Sequence, residues 1–321
     1  MSYVSIPAVQ DLGNLFLLDT QHLEVSGKLG VYLLPGKAAS FALIETGPGS
    51  TLETIKAGVK AAGFRLDNLD SILVTHIHLD HAGAAGELAR LTGAPVYVHE
   101  RGAKHMHDPT KLMTSAERIY GDAMDKLWGK MVPILETQLR VLSGGENLTI
   151  LDYKIEALYT PGHASHHLAY LVNGKDLFTG DVANIRLTGS SVIRPALPPP
   201  DIDLELWQGS IQTMLKTGAK RLLLTHFGPV EDVEGHLSAV PERNQEWADE
   251  ILQGMQEGQE RESLIARIAA LGNAELLADD APPEVMERHQ ESSNYEMTVM
   301  GVTRYWQKYH PELLESEQSL L

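Results

Sequence analysis

The sequence predicts a layered α/β fold followed by a helical region. Short apolar runs bounded by Gly and Pro recur through the first 230 or so residues, as expected of buried strands. Between about residues 50 and 100 these runs alternate with segments of helical periodicity, which favours a layered arrangement of helices and sheet. After about Val233 the strand signals stop. We therefore predict a domain over residues 1–235 and a C-terminal helical domain over residues 236–321.

The first half of the chain should supply one sheet and an inserted helical segment. The apolar runs predict strands at 15–18, 29–34, 41–44, 71–76 and 96–99, with helices at about 51–62 and 82–92 between them. Residues 101–139 break this alternation, because Tyr120, Met124 and Met131 recur at helical spacing. This insertion is interpreted either as ordinary helix packing or as a lid over an apolar pocket. His105 and His107 within it are predicted to be surface residues.

The second half returns to strands and then becomes helical. Strands are predicted at 148–151, 155–159, 168–172, 177–179 and 221–226, with a hairpin at Asn173-Gly174. A stiff Pro-rich loop covers 195–201, and a helix follows over 203–217. The last helix carries an apolar stripe that would suit either packing against the first domain or a homodimer face; it comprises Tyr295, Val299, Val302, Trp306 and Tyr309.

A six-residue run that begins at the last residue of the predicted strand 71–76 holds four metal-ligand side chains. It reads His76-Ile77-His78-Leu79-Asp80-His81. Imidazole and carboxylate are ligands of zinc, and they also suit iron and manganese. His76 and His78 alternate and can reach one point, whereas Asp80 and His81 can reach a second. The chain has no cysteine, so thiolate ligands are excluded.

Three further predicted strands end in a residue of the same kind. His163 closes Thr160-Pro-Gly-His163, Asp181 closes Phe178-Thr-Gly-Asp181, and His226 follows the strand from Arg221. Taken singly, each could be a turn residue or a helix cap. Because active sites of α/β sheets form at strand ends, the joint pattern predicts a metal site at one edge of the fold.

The order of these ligand residues resembles the motif pattern of the metallo-β-lactamase-fold hydrolase superfamily. The pattern is His76-x-His78-x-Asp80-His81, followed by His163, Asp181 and His226. The match covers about residues 10–230, and the motifs at Thr160 and Phe178 are most similar to the glyoxalase II and lactonase branches. The resemblance implies an αββα sandwich with two divalent metal ions, most often zinc. One ion would be held by His76, His78 and His163, and the other by Asp80, His81 and His226. Asp181 would bridge them.

The resemblance also implies a reaction. A hydroxide shared by the two metals would attack the acyl carbon of a small ester, thioester or lactone, and Asp80 would relay a proton to the leaving group. Thr75 and His167 are the candidates to hold the ligand side chains in place. The enzyme is therefore expected to be a metal-dependent hydrolase.

The sequence departs from the family pattern at two places. Many members carry Asp-Thr-Gly in an early strand where this chain has Glu45-Thr-Gly, and the longer side chain could alter the support of the metal loop. Lactonases often place a tyrosine where this chain has Asn184, whose amide could donate to an oxyanion. Arg186 and Arg194 are the candidates to bind an anionic group of the substrate.

Two other functions fit parts of the pattern. A persulfide dioxygenase-like oxidoreductase would hold one iron with His76, His163 and Asp181, a ligand set that suits non-haem iron. Such an enzyme does not need four of the residues as ligands, namely His78, Asp80, His81 and His226, so the full set favours the hydrolase. A binding protein that retains the site and contacts a partner through its C-terminal helices is the third hypothesis.

Charge distribution limits the partners that we expect. The net charge is −17, and residues 231–321 hold 20 Asp and Glu against 6 Lys and Arg. An acidic surface disfavours both nucleic acid and anionic membranes, so a small molecule is the expected partner. The N-terminus lacks the pattern of a signal peptide, and the sequence has no apolar run of about eighteen residues, so we expect a cytoplasmic protein.

Overall fold

The computed structural model describes residues 8–292 and 294–314. The outer ends of the two predicted domains, residues 1–7 and 315–321, therefore lie outside the described residues.

The first sheet has seven strands in sequence order. Strands β1 to β4 pair antiparallel, and β4 to β7 pair parallel. The strands are β1 (Val9–Asp11), β2 (Phe16–Asp19), β3 (Gly30–Pro35), β4 (Phe41–Ile44), β5 (Leu69–Leu73), β6 (Val96–His99) and β7 (Leu139–Leu142).

The second sheet has six strands in the order β13-β12-β11-β10-β9-β8. Its neighbours pair antiparallel except β11 and β12, which are parallel. The predicted Asn173-Gly174 turn joins β10 to β11, and both residues have positive φ, as a tight hairpin requires. The strands are β8 (Asn147–Ile150), β9 (Tyr153–Tyr159), β10 (Leu168–Val172), β11 (Asp176–Phe178), β12 (Arg221–Leu224) and β13 (Gly228–Val230).

The two sheets pack face to face because both faces of their strands are apolar. In β3, Val31 and Leu33 face the helices, while Tyr32 and Leu34 face the other sheet. Alternate side chains of a strand point to opposite faces, so an unbroken apolar strand needs a partner layer on each side. The layer between the sheets is therefore a continuous core that joins β2, β3 and β4 to β9, β10 and β11.

Helices cover the outer face of each sheet, which confirms the predicted αββα sandwich. The helices that precede β7 cover the first sheet: α1 (Leu52–Ala61), α2 (Leu79–Ala82), α3 (Ala85–Thr92), α4 (Glu100–His107), α5 (Thr110–Tyr120) and α6 (Met124–Leu127). The second sheet is covered mainly by α7 (Leu204–Lys216), α8 (Val233–Gln256), α9 (Arg261–Ala278) and α11 (Tyr295–Tyr309), with α10 (Pro283–Ser292) between the last two.

The C-terminal helices share a core with the second sheet. Trp207 of α7, Trp247 of α8 and Trp306 of α11 belong to one buried cluster that also contains residues of β10 and β12. Most of the apolar stripe predicted for the last helix is buried in this cluster. Helix α8 begins at Val233, so its first three residues fall in the predicted first domain. The division into two domains stays a prediction, as does a homodimer. Within the described residues, no helix is long and apolar enough to cross a membrane.

Three strands of the structure had no sequence prediction: β1, β7 and β13. Each has three or four residues. In β7 the two central side chains are exposed, and β13 contains a proline. Such strands carry too few apolar residues to show a periodicity of two. The helical insertion does occur where it was predicted, as α4 to α6, before β7 returns to the sheet.

His236 should make stability depend on pH at the junction of α8 and the second sheet. Burial lowers the pKa of His236 to about 4, and its Nε2 donates to the Ala183 carbonyl over 2.8 Å. Because the unfolded chain takes up this proton near pH 6.5 and the folded chain does not, stability should fall as pH drops below about 6.5. Between pH 7.5 and 5 the loss should be about 2 kcal/mol.

The measurement is urea unfolding of the wild type and of His236→Gln, which keeps a donor, at both pH values. The variant should lose about 2 kcal/mol less than the wild type over this interval. Since every other histidine is common to the two proteins, equal losses would contradict the assignment.

Candidate metal centre

The strand ends that carry the predicted ligands meet at one edge of the sandwich. Strand β5 lies parallel to β4 and β6 and leads into the run from His76 to His81. His163 follows β9, Asp181 lies in a short 3-10 helix after β11, and His226 follows β12. Since β11 and β12 are parallel, their carboxyl ends fall on the same edge.

One group of ligand atoms brings together three imidazoles and a carboxylate. His78 Nδ1 lies 2.9 Å from His76 Nε2 and 3.0 Å from His163 Nε2. Asp181 Oδ2 lies 3.4 Å from His163 Nε2. All four ligand atoms lie within 4.8 Å of one another, as ligands around a single ion would.

A second group lies beside the first. Asp80 Oδ2 is 3.6 Å from His81 Nε2 and 3.4 Å from His226 Nε2. The other oxygen of Asp181, Oδ1, lies 3.1 Å from His81 Nε2 and 3.5 Å from His226 Nε2. Asp181 therefore faces both groups, one oxygen toward each, as a bridging ligand must.

In four of these imidazoles, the outer nitrogen, which is the ring nitrogen that faces away from the ligand groups, is held by a hydrogen-bond acceptor. His163 Nδ1 lies 2.9 Å from the Ala196 carbonyl, and His226 Nδ1 lies 2.9 Å from the Lys28 carbonyl. His81 Nδ1 lies 3.0 Å from Glu45 Oε1, and His76 Nδ1 lies 3.0 Å from Thr75 Oγ1. A carbonyl or carboxylate can only accept, and the Thr75 hydroxyl gives its own proton to Glu45, so each outer nitrogen donates and the neutral imidazole presents its Nε2 lone pair.

Glu45 supports the ligands from behind. Its Oε1 accepts from Thr75 Oγ1 over 2.5 Å and from His81 Nδ1, and Thr225 Oγ1 lies 3.4 Å away. Glu45, His76 and His81 are also close enough to form a metal-sized group. Glu45 faces the outer nitrogen of His81, however, so we assign it to support and not to ligation. The longer side chain that departs from Asp-Thr-Gly thus reaches the metal loop directly.

The local electrostatics fit cations. Burial and the neighbouring imidazoles lower the pKa of His78 to about 4 and that of His76 well below its usual value, which keeps both neutral as ligands must be. Burial lowers the pKa of His81, but Asp181, Asp80 and Glu45 raise it well above the ordinary value. Carboxylates that favour a proton on His81 would equally favour a metal cation in its place.

Buried polar atoms that lack hydrogen-bond partners give a second test of whether these residues could hold metal ions. His81 Nε2 and Asp181 Oδ1 are buried and face each other over 3.1 Å, and neither has another hydrogen-bond partner among the described residues. Polar atoms left in this way cost free energy, and a divalent ion with nitrogen and oxygen ligands would satisfy both. The residues present therefore fit divalent metal ions.

His167 and Thr75, the predicted supporting residues, lie against the ligands. The His167 ring is 5.0 Å from the His76 ring, and its Nδ1 is 2.8 Å from Thr160 Oγ1. A Cβ at Gly180, whose φ is +50°, would lie 2.5 Å from both His167 Nε2 and Thr75 Oγ1. Glycine is therefore required next to Asp181, where the chain passes these side chains closely.

The three substrate candidates Asn184, Arg186 and Arg194 do not line the cavity at the metal centre. Arg194 is buried between Trp247 and Tyr295, and its guanidinium donates to the Gly272 carbonyl, so it is not available to an anionic substrate group. This placement corrects the substrate role predicted for it. The backbone N–H of Arg186 donates to the His226 carbonyl.

Asn184 lies behind the site and connects it to α8. Its Oδ1 accepts a hydrogen bond from the backbone N–H of Ala196, and the carbonyl of Ala196 accepts one from His163. The Asn184 Nδ2 donates to the side chain of Asn244. The Asn184 side chain is completely buried, so the oxyanion role considered for it is also corrected. The amide instead fixes the Pro-rich loop that holds His163.

A cavity of about 870 Å³ opens onto the metal centre. His78, Asp80, Asp181 and His226 form part of its wall. The helical insertion, the Pro-rich loop and α11 form much of the rest, through Ile119, Tyr120, Trp128, Leu197 and Met297 among others. The volume suits a small-molecule ligand. His105, predicted to be a surface residue, is half-buried and lines this cavity.

Three basic residues of the helical insertion line the cavity without having been predicted. Arg101 and Lys104 of α4 and Lys111 of α5 line the cavity. Their signal was present in the sequence, because 101 and 104 share one face of a helix at a spacing of three. The apolar periodicity of the insertion gives no indication that its basic side chains face a cavity.

Comparison with known proteins gives the same fold. The family model described as "Metallo-beta-lactamase superfamily" matches residues 31–226. ST1585, a metallo-β-lactamase fold-containing protein of Sulfurisphaera tokodaii, is 33% identical over 177 residues, which cover 54% of this chain and 66% of that protein. The crystal structure of ST1585 from Sulfolobus tokodaii has a TM-score of 0.59 at 28% identity and covers 70% of this chain and 85% of its own.

Two other matches differ in how much they cover. The crystal structure of TTHA1429, a metallo-β-lactamase family protein of Thermus thermophilus, has a TM-score of 0.67 at 21% identity. The match covers 92% of this chain and 94% of that one. A hydroxyacylglutathione hydrolase of Dechloromonas aromatica is 30% identical over 134 residues, 42% of this chain and 37% of that protein. The chain thus spans less than two thirds of the length of these curated relatives.

Proposed function

Because the chain belongs to the metallo-β-lactamase superfamily, we propose that it hydrolyses a small ester, thioester or lactone with two divalent metal ions. The observation that carries this proposal is the pair of ligand groups that share Asp181. His76, His78 and His163 would hold one ion with Asp181, and Asp80, His81 and His226 would hold the other. Zinc suits the set, and iron or manganese would also be accepted.

When bound, the two ions would act as Lewis acids on the acyl carbonyl and lower the pKa of water toward neutrality. In the overall reaction, water adds to the acyl carbon, the bond from that carbon to sulfur or oxygen breaks, and one water proton ends on the leaving group. The chain itself supplies the geometry, because four of the imidazoles are held from behind. Glu45, Thr75 and the carbonyls of Lys28 and Ala196 hold them.

Asp80 is the residue proposed to carry the proton. It lines the cavity, and its side chain is 24% exposed, whereas His81 is fully buried. Burial raises the pKa of Asp80, but His81 and His226 lower it by more than burial raises it. The net pKa lies below its usual value, so the carboxyl stays ionised. An ionised carboxylate at the cavity wall can orient a water molecule and pass its proton to the leaving group.

The cavity wall supports an acyl substrate. Much of it is apolar, with Ile77, Leu79, Ile119 and Leu197 among the lining residues. A hydroxyacylglutathione hydrolase among the relatives acts on a substrate of the proposed class. The mononuclear iron alternative uses only His76, His163 and Asp181. It assigns no ligand role to His78, nor to the group formed by Asp80, His81 and His226, whose ligand atoms lie within 4.8 Å of one another.

The test is metal content and hydrolysis in the same preparation. We expect about two ions per chain, metal-dependent hydrolysis of thioesters or lactones, and loss of turnover in His76→Ala. His107→Ala, an exposed histidine on α4, is the matched control and should behave as the wild type. Full turnover in metal-loaded His76→Ala would contradict the proposal. Oxygen uptake with glutathione persulfide by iron-loaded protein, without hydrolysis, would favour the oxidoreductase instead.

A further inference from the structure

We infer that the leaving group of the substrate is a multiply charged anion, and that Arg101, Lys104 and Lys111 bind it at the rim of the cavity. This inference rests on the proposed hydrolase function and names the substrate class of the same site. The expected substrates are thioesters whose thiol part carries phosphate or several carboxylate groups, in preference to neutral thioesters.

The three side chains form one basic rim on two consecutive helices. Arg101 and Lys104 are one turn apart on α4, and Lys111 is in the first turn of α5. All three are exposed, and all three line the cavity that reaches the metal centre. Burial lowers the pKa of His105, Lys104 and Lys111 lower it further, and Asp108 raises it, so both ammonium groups and this one carboxylate act on the same imidazole.

Within the described part of the chain, no carboxylate lies at ion-pair distance from the basic rim, although Asp108 is close enough to interact electrostatically with Lys111. Among the described residues, Arg101, Lys104 and Lys111 make no ion pair, and the Arg101 guanidinium lies 5.9 Å from the centre of the Tyr159 ring. Glu100 and Asp201 are the acidic side chains that line the cavity outside the metal centre among the described residues, and they are fewer than the basic side chains of the same wall. Glu100 accepts from Ser143, and Asp201 accepts from Ser165.

The sign of this charge is unexpected for the chain as a whole. The net charge is −17, so a chance cluster on the surface would more often be acidic. Three unpaired cations at the mouth of a largely apolar cavity attract an anion and raise its local concentration. An apolar acyl group next to the metal centre and a charged leaving group at the rim would satisfy both parts of the wall.

The activity test compares two thioesters with the same acyl group. Acyl-coenzyme A has a phosphorylated leaving group, whereas the acyl N-acetylcysteamine thioester has a neutral one. In Lys104→Gln/Lys111→Gln the KM for acyl-coenzyme A should rise about tenfold at low salt with little change in kcat, because each exposed cation contributes modestly. Hydrolysis of the neutral thioester should not change. High ionic strength should shrink the difference.

The matched control is Lys126→Gln/Lys130→Gln. These lysines are exposed on the same insertion but do not line the cavity, so this variant should keep the wild-type KM for both thioesters. Equal KM values for acyl-coenzyme A in the two double variants, or an equal rise for the neutral thioester, would overturn the inference. Hydrolysis of the neutral thioester in every protein would leave the proposed hydrolase function intact in that case.

A binding measurement separates this inference from the proposed reaction. Desulfo-coenzyme A has no thiol to coordinate a metal, and its affinity can be measured by calorimetry on the full chain. We expect about tenfold weaker binding to Lys104→Gln/Lys111→Gln than to the control variant. Equal affinity in the two variants, or an absence of binding to the wild type, would contradict the basic rim as an anion site even if no thioester is hydrolysed.

Discussion

Replacing Asp181 with asparagine should lower kcat/KM by on the order of a thousandfold, the upper end of what loss of one electrostatic partner costs in an active site. Asp181 is the side chain that faces both ligand groups, with Oδ2 toward His163 and Oδ1 toward His81 and His226. The amide keeps the size of the carboxylate but loses its charge, so it cannot offer an anionic oxygen to each group. Metal content should fall by about one ion per chain.

Metal analysis and steady-state kinetics on the same preparation check this expectation. Asp201→Asn is the matched control, because Asp201 lines the cavity and, among the residues that the structure describes, accepts hydrogen bonds from Ser165 alone. The control should keep its full metal content. If Asp181→Asn kept two ions and its turnover, Asp181 would not bridge the groups and the two-metal proposal would lose its central residue.

The folding pattern explains why the ligands could be predicted from the sequence. Each of His163, Asp181 and His226 follows an apolar strand, and the pairing of those strands brings their ends to one edge. Apolar runs and their ends are visible in one sequence, since strand periodicity and turn residues are local properties. The αββα order was likewise predictable, because strands that are apolar on both faces need a layer on each side.

Side chains that act through distant contacts were harder to predict. Asn184 and Arg194 are polar residues near the bridging aspartate in the sequence, yet both are buried against the C-terminal helices. Their partners Asn244 and Gly272 are 60 and 78 residues away, and a single sequence does not encode such pairings locally. The same limit applies to the basic rim, whose place at the cavity depends on how α4 and α5 pack.

Glu45 illustrates the opposite case, in which a departure from a family pattern acquires a role. The sequence shows that glutamate replaces aspartate at this position. The consequence depends on which groups the longer side chain contacts in the folded protein. The carboxylate is 1% exposed and accepts from the Thr75 hydroxyl and from His81 Nδ1. Thr75 in turn contacts His76 Nδ1, so one carboxylate holds a ligand from each of the two groups.

Glu45→Ala should therefore impair both the apo protein and metal binding. Removing the acceptor leaves buried donors on Thr75 and His81 unpaired, which should cost about 3 kcal/mol of folding free energy. With the two imidazoles no longer fixed, metal affinity should fall by about 10–100-fold, the range found when outer partners of ligands are removed. Urea unfolding of the apo protein and competition with a chelator measure the two effects separately.

Two further variants distinguish support by Glu45 from simple loss of packing. Glu45→Gln keeps the volume but replaces one acceptor with an amide that donates, so it should weaken metal binding while costing less stability than Glu45→Ala. Glu100→Ala removes a carboxylate of the cavity wall that accepts from Ser143 and makes no bond to a ligand, so metal affinity should be unchanged. Because His81 needs an acceptor at Nδ1 to present its Nε2 lone pair, unchanged metal affinity in both Glu45 variants would show that the imidazole is oriented by the backbone alone.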